Sequence, residues 1–252
     1  MLVSSGLACV VASVSLVVAT AGGCGLDAVG SLEVDGAVPL PLPDAEPPPA
    51  PDAAPAPGPC DDPAIILCVG FDGAATDGAH AQPIKLGGKV TFVPGIVGEA
   101  ALLDATSVLT LADGPVWKYT TMTVETWVRV DELPTGTART GLIDKDGSFG
   151  VFVAVDGTVS CSMNKVASGK VLAKTGTWVH IACVNDGSAT TLYADGVLQA
   201  TVAAASVSPT TALVAIGNNS PNLGSPLIGA LDVLRVYSRA KTAAEITADA
   251  KR

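Results

Sequence analysis

The chain has 252 residues, enough for one or two domains with a sizeable core, and a net charge of −10. All 14 Lys and Arg lie at or beyond Lys85, where 14 acids balance them, so the ten acids of the first 84 residues carry the whole excess. A neutral C-terminal part with no basic cluster excludes nucleic acid, and an electrostatic membrane surface, as its partner, because both need concentrated positive charge.

Residues 1–24 form the first segment. Leu7 to Ala21 is almost all apolar or small, the length of a signal-peptide hydrophobic region. Ala21-Gly22-Gly23-Cys24 then places small residues directly before a cysteine. This resembles the lipobox of bacterial lipoproteins, in which the cysteine thiol receives a diacylglyceryl group and becomes the new N-terminus. The match departs at Ala21, where an aliphatic residue is usual, and in having no Lys or Arg ahead of the apolar run. A plain secretory signal and an uncleaved anchor of about 20 residues are the alternatives. Each puts the remainder outside the cytoplasm. The lipobox reading makes Cys24 the lipidated residue of a protein held in the cell envelope, facing the periplasm or the exterior.

Residues 25–59 read as a stalk. Ten of the 21 residues from Pro39 to Pro59 are proline, among Ala, Asp and Glu. Proline lacks the N–H and fixes φ, so neither helix nor sheet is expected. An extended polyproline II spacer of about 3.1 Å per residue is.

From residue 60 to 252 the pattern changes to short β-rich runs broken by turn residues. Strands are expected at 64–71, 90–93, 107–111, 122–130, 139–144, 149–155, 158–164, 170–174, 177–184, 189–195, 197–203, 212–217 and 227–237. Asp156-Gly157 and Asp195-Gly196 each stand between two such runs as hairpin turns, and Asp186-Gly187 marks a third reversal. One helix is expected, over Thr242–Lys251, with Thr242 and Glu245 forming a capping box. About a dozen strands without a long helix must stack as two sheets to bury their apolar faces.

Taken in order, PAIILCVGFDG, MTVETWVRV, GTWVHIACVNDGSATTLYADGVLQAT and IGALDVLRVYSRAKTAAEI resemble a laminin-G-like jellyroll domain of the concanavalin-A-like lectin/glucanase superfamily. The resemblance runs over roughly residues 64–250. It implies an all-β sandwich of two antiparallel sheets with first and last strands adjacent and a short C-terminal helix. It also implies that His180 is structural, and that Phe71, Trp127, Trp178, Tyr193 and Tyr237 belong to core motifs. Some members hold Ca²⁺ at the sandwich rim, and the matching positions here are Asp72 and Asp232.

Catalysis is not expected. There is no G-x-S-x-G turn for a serine nucleophile. A glycosidase needs two carboxylates about 5–9 Å apart across the sugar; the glucanases of the resembled superfamily place them as E-x-D-x-(x)-E on one strand, and no strand here bears that run. Asp144 and Asp146 read as part of a turn, and Glu125 stands alone. Without Cys9 and Cys24, four cysteines remain. Outside the cytoplasm these favour disulfides, Cys161 with Cys183 and Cys60 with Cys68. Cys161 and Cys183 are expected in one meander, where a strand at 170–174 between them would put the bond out of reach. For ligand contact, Trp117 and Tyr119 are the aromatics expected to be exposed, and Asn218, Asn219 and Asn222 lie in a polar loop. Together with the Asp72 loop these are expected to form one recognition rim. The expected role is non-catalytic recognition of a glycan, or of an envelope or extracellular protein. A structural or adhesive lipoprotein and a divergent glycoside hydrolase are the alternatives.

Overall fold

The computed structural model describes residues 59–251 except 137 and 172; the signal, lipobox and stalk readings lie outside the described residues. The chain folds into strands β1 (Ile65–Val69), β2 (Lys85–Gly87), β3 (Val90–Pro94), β4 (Glu99–Leu103), β5 (Val108–Leu111), β6 (Met122–Glu132), β7 (Arg139–Lys145) and β8 (Phe149–Ala154). These are followed by β9 (Thr158–Met163), β10 (Lys165–Val171), β11 (Trp178–Asn185), β12 (Ala189–Ala194), β13 (Val197–Ala203), β14 (Val214–Ile216), β15 (Ile228–Tyr237) and helix α1 (Ala243–Asp249).

The strands form two antiparallel sheets. Sheet A runs β13-β12-β11-β6-β15-β4-β3, and sheet B runs β10-β9-β8-β7-β14-β5-β2. Strand β15 pairs with β6 along one side. On its other side, β4 takes residues 229–231 and β1 takes 234–237, so first and last strands are neighbours as expected. Between them β15 bulges at Asp232–Arg235.

Alternation along a strand decides what each sheet buries. In β9 and β12 every second residue is buried, facing the opposite sheet. β1 and β15 are buried on both faces. Their inner faces join the core between the sheets, while Ile65 and Tyr237 pack outside it with Cys68. Helix α1 lies on the same outer face and seats Ile246 against Ala182 and Val184. Its capping box is as expected, with the Thr242 side chain accepting from the Glu245 N–H and the Glu245 carboxylate accepting from the Thr242 N–H. Asp195 and Gly196 both take positive φ, the conformation a two-residue hairpin turn requires.

Three expectations are corrected. The strand at 170–174 is instead β10 at Lys165–Val171, because the chain reverses at Asn164 (φ 67°) directly after β9. β2 and β4 were not anticipated. β4 is Glu-Ala-Ala-Leu-Leu, a helix-favouring composition overridden by pairing on both sides, with β3 and β15. Cys161 and Cys183 do not share a meander. They lie on β9 and β11, in opposite sheets, and their disulfide crosses the core with Cα atoms 5.7 Å apart. The intervening edge strand therefore does not separate them. Cys60–Cys68 is also formed and pins the chain entry to β1.

Candidate functional site

Sheet B turns an unusual outer face to solvent. Ile143, Val151 and Cys161 are in register across β7, β8 and β9 and point into the core. Their neighbours Asp144, Gly150 and Ser162 are therefore in register on the outer face. The adjacent row is Gly141, Phe152 and Ser160. Glycine and serine leave a groove there, a cleft of about 260 Å³ lined by Arg139, Asp144, Asp146, Phe152, Ser162 and Asn164, among others.

Gly150 makes the arrangement possible. A Cβ on it would come within 2.5 Å of Phe152 Cε2 and 3.0 Å of Asp144 Oδ1. The Phe152 ring lies in that space, with the Arg139 guanidinium carbon 3.6 Å from its centroid. Asp144 is 6% exposed. Its Oδ2 accepts the Ser220 N–H at 2.8 Å, and its Oδ1 accepts no hydrogen bond among the described residues. Burial pushes this carboxyl up to about 6, against the pull of the Ser220 N–H and Arg139. Lys145 turns its ammonium away, to Asp113 at 2.7 Å and to the Ala212 carbonyl.

The loop after β14 borders this groove. Asn219 Nδ2 donates to the Arg139 carbonyl at 2.7 Å, and Ser220 holds Asp144. The expected polar loop thus lies beside the cleft, but its residues divide in role. Asn218 is 1% exposed and braces the loop, with Oδ1 accepting from the N–H groups of Asn219 and Ser225. Asn222 is exposed. Trp117 is a correction: it is 3% exposed and stacks on Phe149 at 5.9 Å, because Pro115–Trp117 forms a 3₁₀ turn that tucks the indole into the core. Tyr119 is exposed beside it.

Asp72, in the bend after β1, and Asp232, in β15, lie elsewhere, against the turn joining β3 to β4. Asp232 Oδ2 accepts the N–H groups of Ile96 and Val97 at 2.7 and 2.9 Å. Asp72 Oδ1 accepts the Glu99 N–H at 2.8 Å. Gly95 permits this approach, since a Cβ there would sit 2.5 Å from Asp232 Oδ2. Asp232 Oδ1 is buried without a hydrogen-bond partner among the described residues. Its carboxyl is pushed up, first by burial and also by the charge of Asp72. Residues next to both carboxylates carry backbone strain: Phe71 has φ 63° and Val233 φ 49°. Positive φ at a β-branched residue costs about 1–3 kcal/mol and concentrates at functional sites. Among the described residues no group of three His, Cys, Asp or Glu side chains is arranged around a metal position. The expected single rim is therefore divided: Tyr119 lines a small pocket that shares Ser148 and Phe149 with the sheet B groove, while the carboxylate pair sits at the turn between β3 and β4.

A wider cleft of about 480 Å³ opens between the chain entry and α1. Its charged groups hold one another. Lys241 Nζ donates to both Glu125 oxygens at 3.1 and 3.0 Å and to Asp249. Arg235 and Tyr237 also donate to Glu125, and Arg239 bridges Asp62 and Glu245. Glu125 is thus a buried, paired carboxylate of the scaffold. His180 is likewise structural, 2% exposed and 5.2 Å from the Trp127 ring.

The family signature described as concanavalin A-like lectin/glucanases matches residues 103–247, more than half the chain. The chain belongs to the concanavalin A-like lectin/glucanase superfamily. No curated protein sequence matches it. Among solved structures it is similar to domain 4 of AbnA, an extracellular GH43 arabinanase from Geobacillus stearothermophilus, in complex with arabinotriose. The identity is 24% and the TM-score 0.61, over 75% of this chain and 98% of that one. It is also similar to the binding domain of Paraclostridial Mosquitocidal Protein 1 (16% identity, TM-score 0.60, 74% of this chain and 51% of that one). The receptor-binding domain of botulinum neurotoxin C/D mosaic serotype is a third, at 12% identity and TM-score 0.59, over 75% and 51%. The chain spans about half the length of these two toxin domains. At such identities the likeness establishes the fold.

The sequence reading missed Arg139, Gly150, Phe152 and Ser162. The available signal was the even-numbered alternation of Gly150 and Phe152 within a strand whose odd residues are core. The Asp144-Lys145-Asp146-Gly147 run hid it, because Asp144 belongs to β7 and only the residues after Lys145 turn.

Proposed function

We propose that this superfamily member is a non-catalytic glycan-recognition module displayed outside the cytoplasm. One observation carries the reading. Asp144 lines the floor of an open groove with its carboxylate mostly buried, and its Oδ1 is left without a donor among the described residues. That oxygen faces the groove, where it can accept a hydrogen bond from whatever fills it. Sugar hydroxyls supply such donors, and the arabinotriose held by a domain of similar fold supports that chemistry. The groove holds Asp144 and Asp146 but lacks the E-x-D-x-(x)-E strand of the superfamily's glucanases, which supports binding over hydrolysis. A glycan array probed with the full chain tests it. Binding of defined glycans without their cleavage is expected, and a blank array or released sugar overturns it.

Ca²⁺ fits the sheet A pair as a second element. Two carboxylates and the orphaned Asp232 Oδ1 are hard oxygen donors, to be completed by main-chain carbonyls and water. Asp72 and Asp232 would hold the ion, which supplies positive charge to order the turn between β3 and β4. At the N-terminus, Cys24 acylation behind an apolar run is the anchoring we propose, with the Pro-rich stretch as spacer. Intact-mass analysis of membrane-extracted protein should carry the lipid mass. A Cys24→Ser variant processed and localised like wild type would refute it.

A further inference from the structure

We infer that the sheet B groove selects neutral oligosaccharides with vicinal hydroxyls, Asp144 Oδ1 accepting from one hydroxyl while the Arg139 guanidinium donates to its neighbour. This rests on the glycan reading above and specifies its ligand.

Asp144 spends Oδ2 on the Ser220 N–H and keeps Oδ1, an acceptor only when ionised. The Arg139 guanidinium sits over the Phe152 ring and makes no side-chain hydrogen bond among the described residues, so its N–H groups remain donors. A carboxylate and a guanidinium lining one groove offer one acceptor and one donor set. Two adjacent hydroxyls match this, since each hydroxyl both donates and accepts.

Charge decides against acidic sugars. The titratable groups facing Asp144 are Arg139 on its own strand and Asp146 in the turn to β8, while Lys145 is committed to Asp113. Two carboxylates against one guanidinium leave the groove negative near neutrality, and a uronic acid would be repelled. Shape decides against a monosaccharide. Asp144, Gly150, Ser162 and Val166 stand in register on four adjacent strands. Three strand spacings make this row about 14 Å long. Val166, half exposed at its far end, offers an apolar patch to the C–H face of a further sugar ring.

Acid weakens such a site. Asp144 gains a proton as pH falls through about 6 and then loses the charge that strengthens its hydrogen bonds.

The test is calorimetric titration of the full chain at pH 7.5 and pH 5 with arabinotriose, cellotriose, mannotriose and the galacturonic acid trimer. At least one neutral trisaccharide should bind at pH 7.5, several-fold more weakly at pH 5, and the acidic trimer should not bind. Asp144→Asn should cost about 10- to 100-fold in affinity, the range for a charge-assisted hydrogen bond. Ser162→Tyr, which fills the groove from its exposed side and leaves the carboxylate in place, should abolish binding with the melting temperature unchanged. Wild-type affinity in both variants overturns the site while leaving the glycan reading intact. Preference for the acidic trimer overturns the ligand class. No binding by any trisaccharide overturns this inference, and it overturns the glycan reading as well when the glycan array is also blank.

Discussion

Removing the cross-sheet disulfide tests the sandwich where the sequence left it most open. Cys161 and Cys183 are both fully buried and close a 22-residue segment that includes the edge strand β10. Cross-linking a segment of this length restricts the unfolded chain by about 3 kcal/mol in the chain-entropy model. For a domain of this size each kcal/mol moves the melting temperature by about 2–4 °C, so the Cys161→Ala/Cys183→Ala variant should melt about 6–12 °C below wild type. Lost sulfur contacts in a core without slack push the drop toward the upper end. The Cys60–Cys68 disulfide closes only 8 residues, so the Cys60→Ala/Cys68→Ala variant should lose less, about 2 kcal/mol. Thermal unfolding followed by circular dichroism reads both, and non-reducing peptide mapping of exported protein confirms the pairings. A drop below 2 °C for the first variant, or free thiols at 161 and 183, would refute the reasoning.

Millimolar Ca²⁺ should raise the melting temperature. At 100 times the dissociation constant the gain is about 2.7 kcal/mol, several degrees here. Asp72→Ala and Asp232→Ala should each abolish that gain, and a melting point indifferent to Ca²⁺ and chelator would leave both as structural acceptors. Asp144 has its folded-state pKa raised to about 6, so the folded chain binds the extra proton between about pH 4 and 6. Stability therefore falls as pH rises through that window, by about 2–3 kcal/mol, and Asp144→Asn should flatten the slope in denaturant titrations. An unchanged slope would contradict the burial argument. Thr242→Ala removes the capping side chain of α1 and should cost about 1 kcal/mol in the same titrations; a neutral result would mean the Ile246 contact alone holds the helix.

The sandwich was legible because its determinants are local. Alternating burial in β9 and β12, the Asp195-Gly196 turn and the Thr242–Glu245 capping box are each written within a few residues. β4 was hidden because its Ala-Leu composition favours helix and only its partners β3 and β15 make it a strand. Trp117 misled for a related reason. In the Gly-Pro-Val-Trp-Lys-Tyr segment both aromatics read as exposed, and the burial of Trp117 against Phe149 depends on a contact 32 positions away. The groove was illegible as a whole. It is built by register across three strands, placing Asp144, Gly150 and Ser162 in one row, and no stretch of sequence displays that adjacency. Asp72 and Asp232, 160 residues apart, were named through the family resemblance, and the turn between β3 and β4 is what brings them together.

The outer face of sheet B is where we propose the glycan binds. Amide-resolved NMR titration of the full chain with the tightest-binding neutral trisaccharide addresses it most directly. Shifts should concentrate on Gly141, Gly150, Ser160, Ser162 and Asn164, with the Ser220 amide moving as Asp144 engages the sugar. Shifts gathered instead around Asp72, Val97 and Asp232, or around Tyr119, would contradict it.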